Sequence, residues 1–361
     1  MKDHNLFTFK RVLLLTVVLS LFSFSLHAGD EVYLQASEMA VDFLVSQMQA
    51  DGSYAPTDDL AAHYKSPSTL YAAGRVEEAN RLVDYIRSRY LQADGDVLTG
   101  PGNKSADFAY TEYYHYCNAW IAMGTQRLGR FDVAVPTHRY LLDFYNKHQG
   151  GFNTSFPYKR SDKDKIVTDT LSTSHGGLMA LYFGDPDRAR AAGDLLLDLY
   201  ALQDNLTTGF YLRMDWKGRL IKEYPPDMAV FYFVSATEPN QAYFFIGYPI
   251  AYLGLLYRAT GDDRYQAGAN AYLDWALTTT GNIRSFFYAH KVGWGASICA
   301  KNTGNPAYAQ LARDIADYLV SIQQPNGQFL PELGPFGSLD QTSEIALWLR
   351  YIHAELVSSG N

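Results

Sequence analysis

The chain has 361 residues, of which 47% are hydrophobic and 19% are charged, and its formal net charge is -8. This composition excludes a basic nucleic-acid-binding protein and a disordered tail protein, so we expect no nucleic-acid partner. Aromatic residues make up 15% of the chain, with 28 Tyr and 20 Phe. Because an ordinary core does not require so many rings, we expect many of them to line a surface or a cleft.

The N-terminal segment has the pattern of an export signal. Lys10 and Arg11 precede an uncharged apolar run over 12–26, and the small residue Ala28 follows. A basic start, a short apolar stretch and a small residue at the cleavage position are typical of a signal peptide. We therefore predict a signal peptide over 1–28, a single catalytic domain over 29–361, and a secreted or periplasmic product without membrane association after cleavage. An uncleaved membrane anchor is the alternative.

The chain has two cysteines, Cys117 and Cys299, and both lie in apolar, helix-like runs. Two cysteines cannot form a disulfide framework, and neither has the spacing of a zinc ligand. We expect two buried thiols, with one bridge between them as the alternative. No His-x-x-x-His pair or calcium-loop pattern is present, so we predict no metal and no cofactor.

The next segments repeat one unit of two helices. Five times, an apolar helix ends at a glycine corner that is followed by an amphipathic helix. Glycine suits a left-handed helix C-cap, and Asp, Asn or Pro after it suits the start of the next helix. The corners lie at Gly74, Gly129, Gly184, Gly261 and Gly304. The amphipathic helices that follow are predicted over 76–91, 133–147, 188–203, 265–277 and 308–323.

An amphipathic helix over 38–49 belongs to the same series and brings the number of units to six. Because neither end has a polar capping repeat, six such units predict a closed ring and not an open solenoid. We predict an all-α fold, an (α/α)6 barrel or toroid of six helical hairpins. Strand-like alternation is weak, and its best candidate is a short hairpin at 210–214. The more apolar inner helices are expected at about 61–73, 109–128, 173–183, 242–260, 294–302 and 341–356.

This layout resembles several known families. The turn Gln-Gln-Pro-Asn-Gly-Gln-Phe at 323–329 is similar to a degenerate Gln-x-x-x-Gly-x-Trp motif of the triterpene cyclases, and Gly-Gly-Phe at 150–152 resembles the glycine turns of protein prenyltransferase β subunits. The layout equally resembles the single-domain (α/α)6 glycosidases, unsaturated-glycan hydrolases and polysaccharide lyases. Since one fold hosts many functions, the chemistry must be argued from a site.

Polar side chains are expected at one end of the ring. The inner helices all point the same way, so their N-termini meet at one mouth, where free amides and helix dipoles favour carboxylates and anionic ligands. The catalytic candidates placed there are Glu112, Asp169, His175, Glu238, His290, Asp340 and Glu344. The substrate-binding candidates are Tyr113, Tyr114, Asn240, Gln241, Tyr243, Lys291 and Trp294. We expect the first six catalytic candidates to surround one opening, and helix capping is the alternative role for each single carboxylate.

Several carboxylates around an aromatic cavity favour glycoside cleavage, in which one carboxylic acid protonates the leaving oxygen and a second carboxylate activates water or attacks the sugar. A lyase or uronate epimerase would instead use His or Tyr as acid and base. We predict an exported carbohydrate-active enzyme, either a glycoside hydrolase or a polysaccharide lyase or epimerase, with a small-molecule or oligosaccharide substrate. Two alternatives stay open: a terpenoid-cyclase- or prenyltransferase-like enzyme with an apolar substrate, and a non-catalytic glycan-binding toroid.

Overall fold

A computed structural model describes residues 29–55, 57–160 and 162–357. The signal peptide predicted over 1–28 therefore lies outside the described residues. In the described part, no helix combines the length and the apolar character that a membrane span requires. The helices are α1 (29–47), α2 (Ser66–Ala72), α3 (Val76–Arg89), α4 (Ala109–Glu112), α5 (Tyr116–Arg127), α6 (Phe131–Leu141), α7 (Thr170–Tyr182), α8 (Pro186–Ala201), α9 (Phe244–Thr260), α10 (Asp263–Thr278), α11 (His290–Thr303), α12 (Pro306–Ser321) and α13 (Gly334–Val357).

Six inner helices form a closed ring. In the order α2, α5, α7, α9, α11 and α13, each packs against the next, and α13 packs against α2. The outer helices α3, α6, α8, α10 and α12 each pack on the inner helix that precedes them. The predicted (α/α)6 toroid is confirmed.

The sixth hairpin is assembled from the two ends of the described chain. The Ser37 hydroxyl of α1 donates to the carbonyl of Ala346 in α13 at 2.8 Å, and Arg350 forms a salt bridge with Glu38. Helix α1 is therefore the outer partner of α13, and this contact closes the ring.

The hairpins form for the reasons that the sequence suggests. All five corner glycines have a positive φ, between 69° at Gly261 and 75° at Gly74, as a left-handed C-cap requires. Outer helices bury one face, whereas α11 buries every residue from His290 to Ala300. An inner helix packed on all sides has to be apolar or small all round, because it touches two inner neighbours and one outer helix.

Several predicted boundaries are wrong in informative ways. The inner helix expected at 61–73 is broken into a 3-10 turn at Leu60–Ala62 and α2, whose first turn contains Pro67. The one expected at 109–128 is split into α4 and α5 by Tyr113, which leaves helical geometry at φ -126° and ψ 56°. Helices α11 and α13 begin earlier than expected, at His290 and Gly334.

Short strands lie in the loops at one end of the ring. They are β1 (Thr168–Asp169), β2 (Gly209–Tyr211), β3 (Arg213–Met214) and β4 (Phe233–Ser235). Strand β1 pairs antiparallel with β3, and β2 pairs antiparallel with β4. The segment at 210–214 is therefore extended as expected, but it pairs with two other loops and not with itself. Cys117 and Cys299 are both buried and unpaired, as predicted.

Candidate active site

A cavity of about 460 Å³ lies at the end of the ring where the inner helices begin. We call it the mouth cavity. The first residues of the inner helices line it, including Lys65 before α2, Tyr116 of α5, Phe244 of α9 and His290 of α11. Helix α13 enters through its first turns. The shared direction of the inner helices therefore creates a common mouth, as the sequence pattern predicts.

Aromatic side chains form a large part of the wall of the mouth cavity. The hydroxyls of Tyr64 and Tyr110 lie 3.2 Å apart, and those of Tyr116 and the buried Tyr248 lie 2.8 Å apart. The Tyr113 ring packs against Phe231, with ring centroids 5.6 Å apart. Rings with hydroxyl groups offer both stacking faces and hydrogen bonds to a ligand. The aromatic members of the lining are Tyr64, Phe108, Tyr110, Tyr113, Tyr116, Phe231, Phe244, Tyr288 and Phe336.

The rim of the mouth cavity is unusually apolar for a surface. Phe108 is 62% exposed, Val230 is 47% exposed and Leu333 is 41% exposed, and all three line the cavity. Adjacent exposed apolar side chains at one opening are typical of a binding site. The rim is therefore the open side of the cavity.

Besides Asp107 and Gln341, the polar lining of the cavity contains a charge cluster of five residues: Lys65, His290, Lys291, Asp340 and Glu344. Asp340 and Glu344 are one turn apart on α13, so both carboxylates project from the same helix face. Lys65 Nζ lies 2.9 Å from Asp340 and also bonds Glu344, which joins the start of α2 to the neighbouring helix α13. Asp340 is 7% exposed and Glu344 is 1% exposed, so Asp340 is the more accessible carboxyl.

Glu344 lies at the centre of this cluster. Its carboxylate is 2.5 Å from Lys291 Nζ and 3.3 Å from His290 Nε2. The indole N–H of Trp348 donates to the same carboxylate at 3.2 Å. His290 Nε2 is also 3.1 Å from Lys291 Nζ. A buried carboxylate with two ammonium groups and an indole donor is well compensated.

The two carboxyls have opposite pKa shifts. Burial raises the pKa of Asp340, which Lys65 partly counteracts and the negative charge of Glu344 reinforces. Burial acts on Glu344 in the same direction, but Lys291, Lys65 and His290 lower the pKa of Glu344 well below its usual value. One carboxyl of the cluster thus holds its proton more tightly than usual, while the other stays ionised.

The basic members of the cluster are shifted as well. Burial lowers the pKa of Lys291 to about 8, although Glu344 counteracts the shift. Burial also lowers the pKa of His290 to about 4, and the neighbouring charge of Lys291 adds to this effect. At neutral pH the imidazole of His290 is therefore neutral.

Five of the fourteen candidates from the sequence line the mouth cavity. They are Tyr113, His290, Lys291, Asp340 and Glu344. The expectation that six catalytic candidates surround one opening is met by His290 and Asp340 only. The others lie elsewhere, and the reasons are local.

Glu112 and Asp169 lie behind the wall of the cavity. Glu112 accepts from the buried Arg213 at 2.8 Å, and Arg213 in turn lies beside the Tyr113 hydroxyl at 3.5 Å. Asp169 is fully buried and accepts from the backbone N–H of Ser172 at 2.6 Å, so it is the N-cap of α7. Burial raises the pKa of Asp169 to about 6. The capping alternative therefore describes Asp169.

Glu238, Asn240 and Gln241 precede α9 in a loop and do not line the cavity. The first two are exposed, and Asn240 adopts a left-handed φ of 57° while its N–H donates to Asn282 at 2.6 Å. The Gln241 side chain accepts from the backbone N–H of Ser235 at 2.9 Å, which fixes the end of β4. The loop lies at the end of the ring where α9 begins, but these contacts with Ser235 and Asn282 hold it outside the cavity lining.

Tyr114 and Tyr243 also point away from the cavity. Tyr114 donates to Asp96 at 3.0 Å, and Tyr243 is buried with its hydroxyl 3.4 Å from that of Thr280. His175 and Trp294 lie deeper in the ring, beyond the Tyr116–Tyr248 pair; the His175 ring is 4.8 Å from that of Tyr116. Both residues sit more than one turn inside their helices and miss the mouth for this reason.

Several residues that line the cavity are not among the fourteen candidates. Lys65 is the most important, because it bonds both carboxyls. The one available signal was a lysine inside the apolar and small-residue run at 60–73, where an unpaired charge would be costly. Phe231 and Tyr288 lie in two short 3-10 helices, Pro226–Phe231 and Phe287–Ala289. Such segments have no periodicity that would reveal their inner face.

No protein-family model matches the chain, and no curated protein matches its sequence. Solved structures match its fold. A D-mannose isomerase has a TM-score of 0.66 at 12% identity, over 92% of this chain and 99% of that chain. A GH76 α-mannanase from Bacteroides thetaiotaomicron has a TM-score of 0.60 at 12% identity, over 90% of this chain and 97% of that chain. A type II terpene cyclase from Scytonema has a TM-score of 0.54 at 12% identity, over 91% of this chain and 99% of that chain.

These likenesses confirm the resemblance to the α/α toroid enzymes on the level of the fold. The names of the three similar structures refer to three different reactions: an isomerisation, a hydrolysis and a cyclisation. The fold alone therefore does not select a reaction, and the selection depends on the side chains in the mouth cavity.

Proposed function

We propose that the protein is an exported carbohydrate-active enzyme that works by general acid–base catalysis in the mouth cavity, with Asp340 as the proton donor. The observation that carries the proposal is a pair of carboxyls, one turn apart in an aromatic cavity, whose pKa values are shifted in opposite directions. Such a pair divides the acid role from the charge-stabilising role. The glycan-processing names of the mannose isomerase and the mannanase agree with this assignment.

Asp340 suits the role of acid for two reasons. It is the more accessible carboxyl of the cluster, and burial raises its pKa, which favours the protonated form that an acid needs. A carboxylic acid that can reach a glycosidic or ring oxygen lowers the barrier of bond cleavage by protonating it. Tyr64, Tyr110 and Tyr116 surround the same space and would stack on or bond the sugar.

Glu344 suits the role of the ionised partner. Because both carboxyls bond Lys65 Nζ, their nearest oxygens are less than about 6 Å apart. Glycosidases that retain the anomeric configuration use carboxyls about 5–5.5 Å apart, whereas inverting enzymes need more room for a water molecule. If the reaction is hydrolysis, we expect retention.

Two other residues of the cluster favour a proton-transfer reaction on a sugar instead of hydrolysis. They are the neutral His290 and Lys291, whose pKa is about 8. A base next to a protonated Asp340 could remove a proton from a sugar carbon while the acid protonates an oxygen, as elimination, epimerisation and isomerisation require. Product analysis separates these reactions from hydrolysis.

A terpenoid-type reaction is the second candidate function. The observation in its favour is the aromatic and apolar wall, together with a carboxyl whose pKa is raised. A protonated acid in an apolar cavity could start a cyclisation by protonating a double bond. The two lysines and the tyrosine hydroxyls of the cavity favour a polar substrate instead.

The test is a product assay on purified protein. Neutral and acidic polysaccharides, their oligosaccharides, simple hexoses and a linear polyprene are incubated with it. New reducing ends indicate hydrolysis, absorbance of unsaturated uronates indicates elimination, and ketose–aldose conversion indicates isomerisation. Turnover of the polyprene alone would replace the proposal with the second candidate, and binding without turnover would favour a glycan-binding toroid.

The matched variants are Asp340→Asn and Asp227→Asn. Asp227 is exposed near the rim, in the segment Pro226–Phe231, and serves as a control for the same chemical change. We expect Asp340→Asn to lose about 10²–10⁴-fold in kcat, and Asp227→Asn to remain active. A fully active Asp340→Asn would show that Asp340 is not the acid.

A further inference from the structure

A second cavity opens at the opposite end of the ring, where the inner helices end. We call it the back cavity. Its outer part, of about 530 Å³, is lined by Arg127 and Tyr182, the last residues of α5 and α7, and by Trp294 and Tyr351. Its inner part, of about 40 Å³, reaches His175 and Trp348. The back cavity shares no lining residue with the mouth cavity.

Stacked aromatic rings form one side of the back cavity. The rings of Trp294 and Trp348 are 4.2 Å apart and nearly parallel, at 18°. Tyr351 lies against Trp348 with ring centroids 5.9 Å apart. Leu178 and Leu255 complete the outer part. An apolar or planar molecule fits such a lining better than a hydrated sugar does.

The outer edge carries a positive charge that two phenols hold in place. Arg127 donates to the hydroxyl of Tyr351 at 2.5 Å and to that of Tyr182, and its guanidinium lies 4.4 Å from the centre of the Tyr182 ring. Among the described residues, no carboxylate forms a salt bridge with Arg127, whereas Arg258 and Glu355, which also line the outer part, are paired with each other at 2.7 Å. Helix dipoles favour basic side chains at helix C-termini in general, but a guanidinium beside an open aromatic cavity also attracts an anion.

The inner end holds an unsatisfied imidazole. His175 is 1% exposed, and neither of its ring nitrogens has a hydrogen-bond partner in the described part of the chain. Its neighbours are rings: Tyr116, Tyr248 and Trp120, with centroids 4.8 to 5.6 Å away. Burial holds the pKa of His175 well below its ordinary value, so the imidazole is neutral and offers one donor and one acceptor. Buried polar groups nearly always have partners, which points to a ligand atom beside His175.

The distance between the two polar ends limits the size of the ligand. Arg127 follows Trp120 by seven residues on α5, and Tyr182 follows His175 by seven residues on α7. Seven helical residues span about 10 Å along the helix axis, and Arg127 also lines the inner part that reaches His175, so this axial rise is the upper limit for the separation of the two ends in depth. The inner part of the cavity has room for one small polar group beside His175, since about one probe sphere of space already holds a water molecule.

We propose that the back cavity is a binding site for a small aromatic carboxylate with a hydroxyl at its far end, separate from the active site. The carboxylate pairs with Arg127, the ring lies beside Trp294 and Trp348, and the hydroxyl bonds His175. This site does not depend on the reaction in the mouth cavity, because the two cavities share no lining residue.

The test is isothermal titration calorimetry with three probes. They are 4-hydroxycinnamate, which has both polar ends, cinnamate, which lacks the hydroxyl, and 4-hydroxycinnamyl alcohol, which lacks the carboxylate. We expect 4-hydroxycinnamate to bind at least tenfold more tightly than either analogue. Absence of binding by all three probes, which is the result if only water fills the cavity, would overturn the proposal, and so would equal affinity for the acid and the alcohol.

Two variants locate the binding. Arg127→Gln should raise the Kd for 4-hydroxycinnamate at least tenfold and abolish the preference for the acid over the alcohol. Arg139→Gln, at an exposed position of α6, makes the same change away from both cavities and should leave the Kd unchanged. Unchanged binding by Arg127→Gln would place the ligand elsewhere and refute the site.

His175→Leu tests the inner end. Because His175 makes no hydrogen bond within the described chain, its replacement leaves no partner unpaired, and the melting temperature of the variant is measured beside its binding to show that it is folded. The variant should bind 4-hydroxycinnamate and cinnamate equally. A preserved preference for the hydroxyl would contradict the assigned role of His175.

Discussion

The charge cluster makes a sharp prediction for Glu344→Gln. The substitution keeps the shape of the side chain but removes the negative charge that Lys65 and Lys291 share. Lys65 keeps Asp340 as a partner at 2.9 Å, whereas Lys291 loses its only carboxylate among the described residues. The variant therefore contains a buried ammonium group without a carboxylate in direct contact, and Asp340 acts on it only from a greater distance.

Removal of one partner from a buried ion pair costs about 3–5 kcal/mol, and we expect Glu344→Gln to lose stability in this range near pH 6. The loss should depend on pH. In the native protein burial lowers the pKa of Lys291 to about 8 while Glu344 raises it, so without Glu344 that pKa must fall further. The unfolded chain, with a lysine pKa near 10.4, then binds more protons than the folded variant, and stability rises with pH. The free energy of unfolding begins to rise below pH 8 in the variant only. The difference in this free energy between the native protein and the variant should therefore narrow between pH 6 and pH 8 and stay constant above pH 8.

Urea unfolding followed by circular dichroism at pH 6, 7, 8 and 9 measures this gap. Glu238→Gln is the matched control, since Glu238 is exposed and the same change there should cost less than about 0.5 kcal/mol. If Glu344→Gln is as stable as the control, or if its deficit is the same at pH 6 and pH 8, the assignment of Lys291 as an ammonium held by Glu344 is wrong.

Two further predictions concern the scaffold. Burial lowers the pKa values of His63, His115 and His290 to about 4, below the unfolded value near 6.5, so the stability that these neutral rings provide is complete above pH 6.5 and is lost as the pH falls toward 4. Each histidine should lower the free energy of unfolding by about 2 kcal/mol between pH 7 and pH 5, and Asp169, whose pKa is raised to about 6, should offset about 1 kcal/mol of the total. A free energy of unfolding that urea titrations show to be constant over this interval would contradict the burial of neutral imidazoles. Gly327→Ala should destabilise far more than Gly304→Ala: both glycines have positive φ, but a Cβ at 327 would lie 2.1 Å from the backbone oxygen of Met39, whereas one at 304 meets nothing within 4 Å. The strain at Gly304 alone should cost about 1 kcal/mol, and equal melting temperatures of the two variants would refute the clash.

The fold was predictable because its signals are local. Each glycine corner and each helical periodicity is encoded within a few residues, and Gly261 or Gly304 can be recognised without knowing what packs beside it. The same holds for the mouth: the direction of a helix in a hairpin is set by its order, so His290 and Asp340 could be placed at one end before the structure was known.

The site was only partly predictable because its contacts are distant in sequence. Lys65 bonds Asp340 across 275 positions, and the sequence offers no periodicity from which that pairing follows. Depth along the barrel is equally hidden, since the start of α7 at Thr170 decides that His175 lies beyond the Tyr116–Tyr248 pair. A shift of one helical turn in such a start moves a side chain from one cavity to the other.

The contact between α1 and α13 has a consequence for how the chain can be rearranged. Glu31 and His353 lie 3.6 Å apart, so residues at the two ends of the described chain are neighbours in space. A short linker could join these ends, and the chain could be opened instead at a hairpin corner such as Gly304, where no other atoms crowd the backbone. In such a circular permutant the hairpin made by α1 and α13 would become continuous, and the ring would be closed by α11 and α12, which are continuous in the native order. The toroid thus has no intrinsic first hairpin.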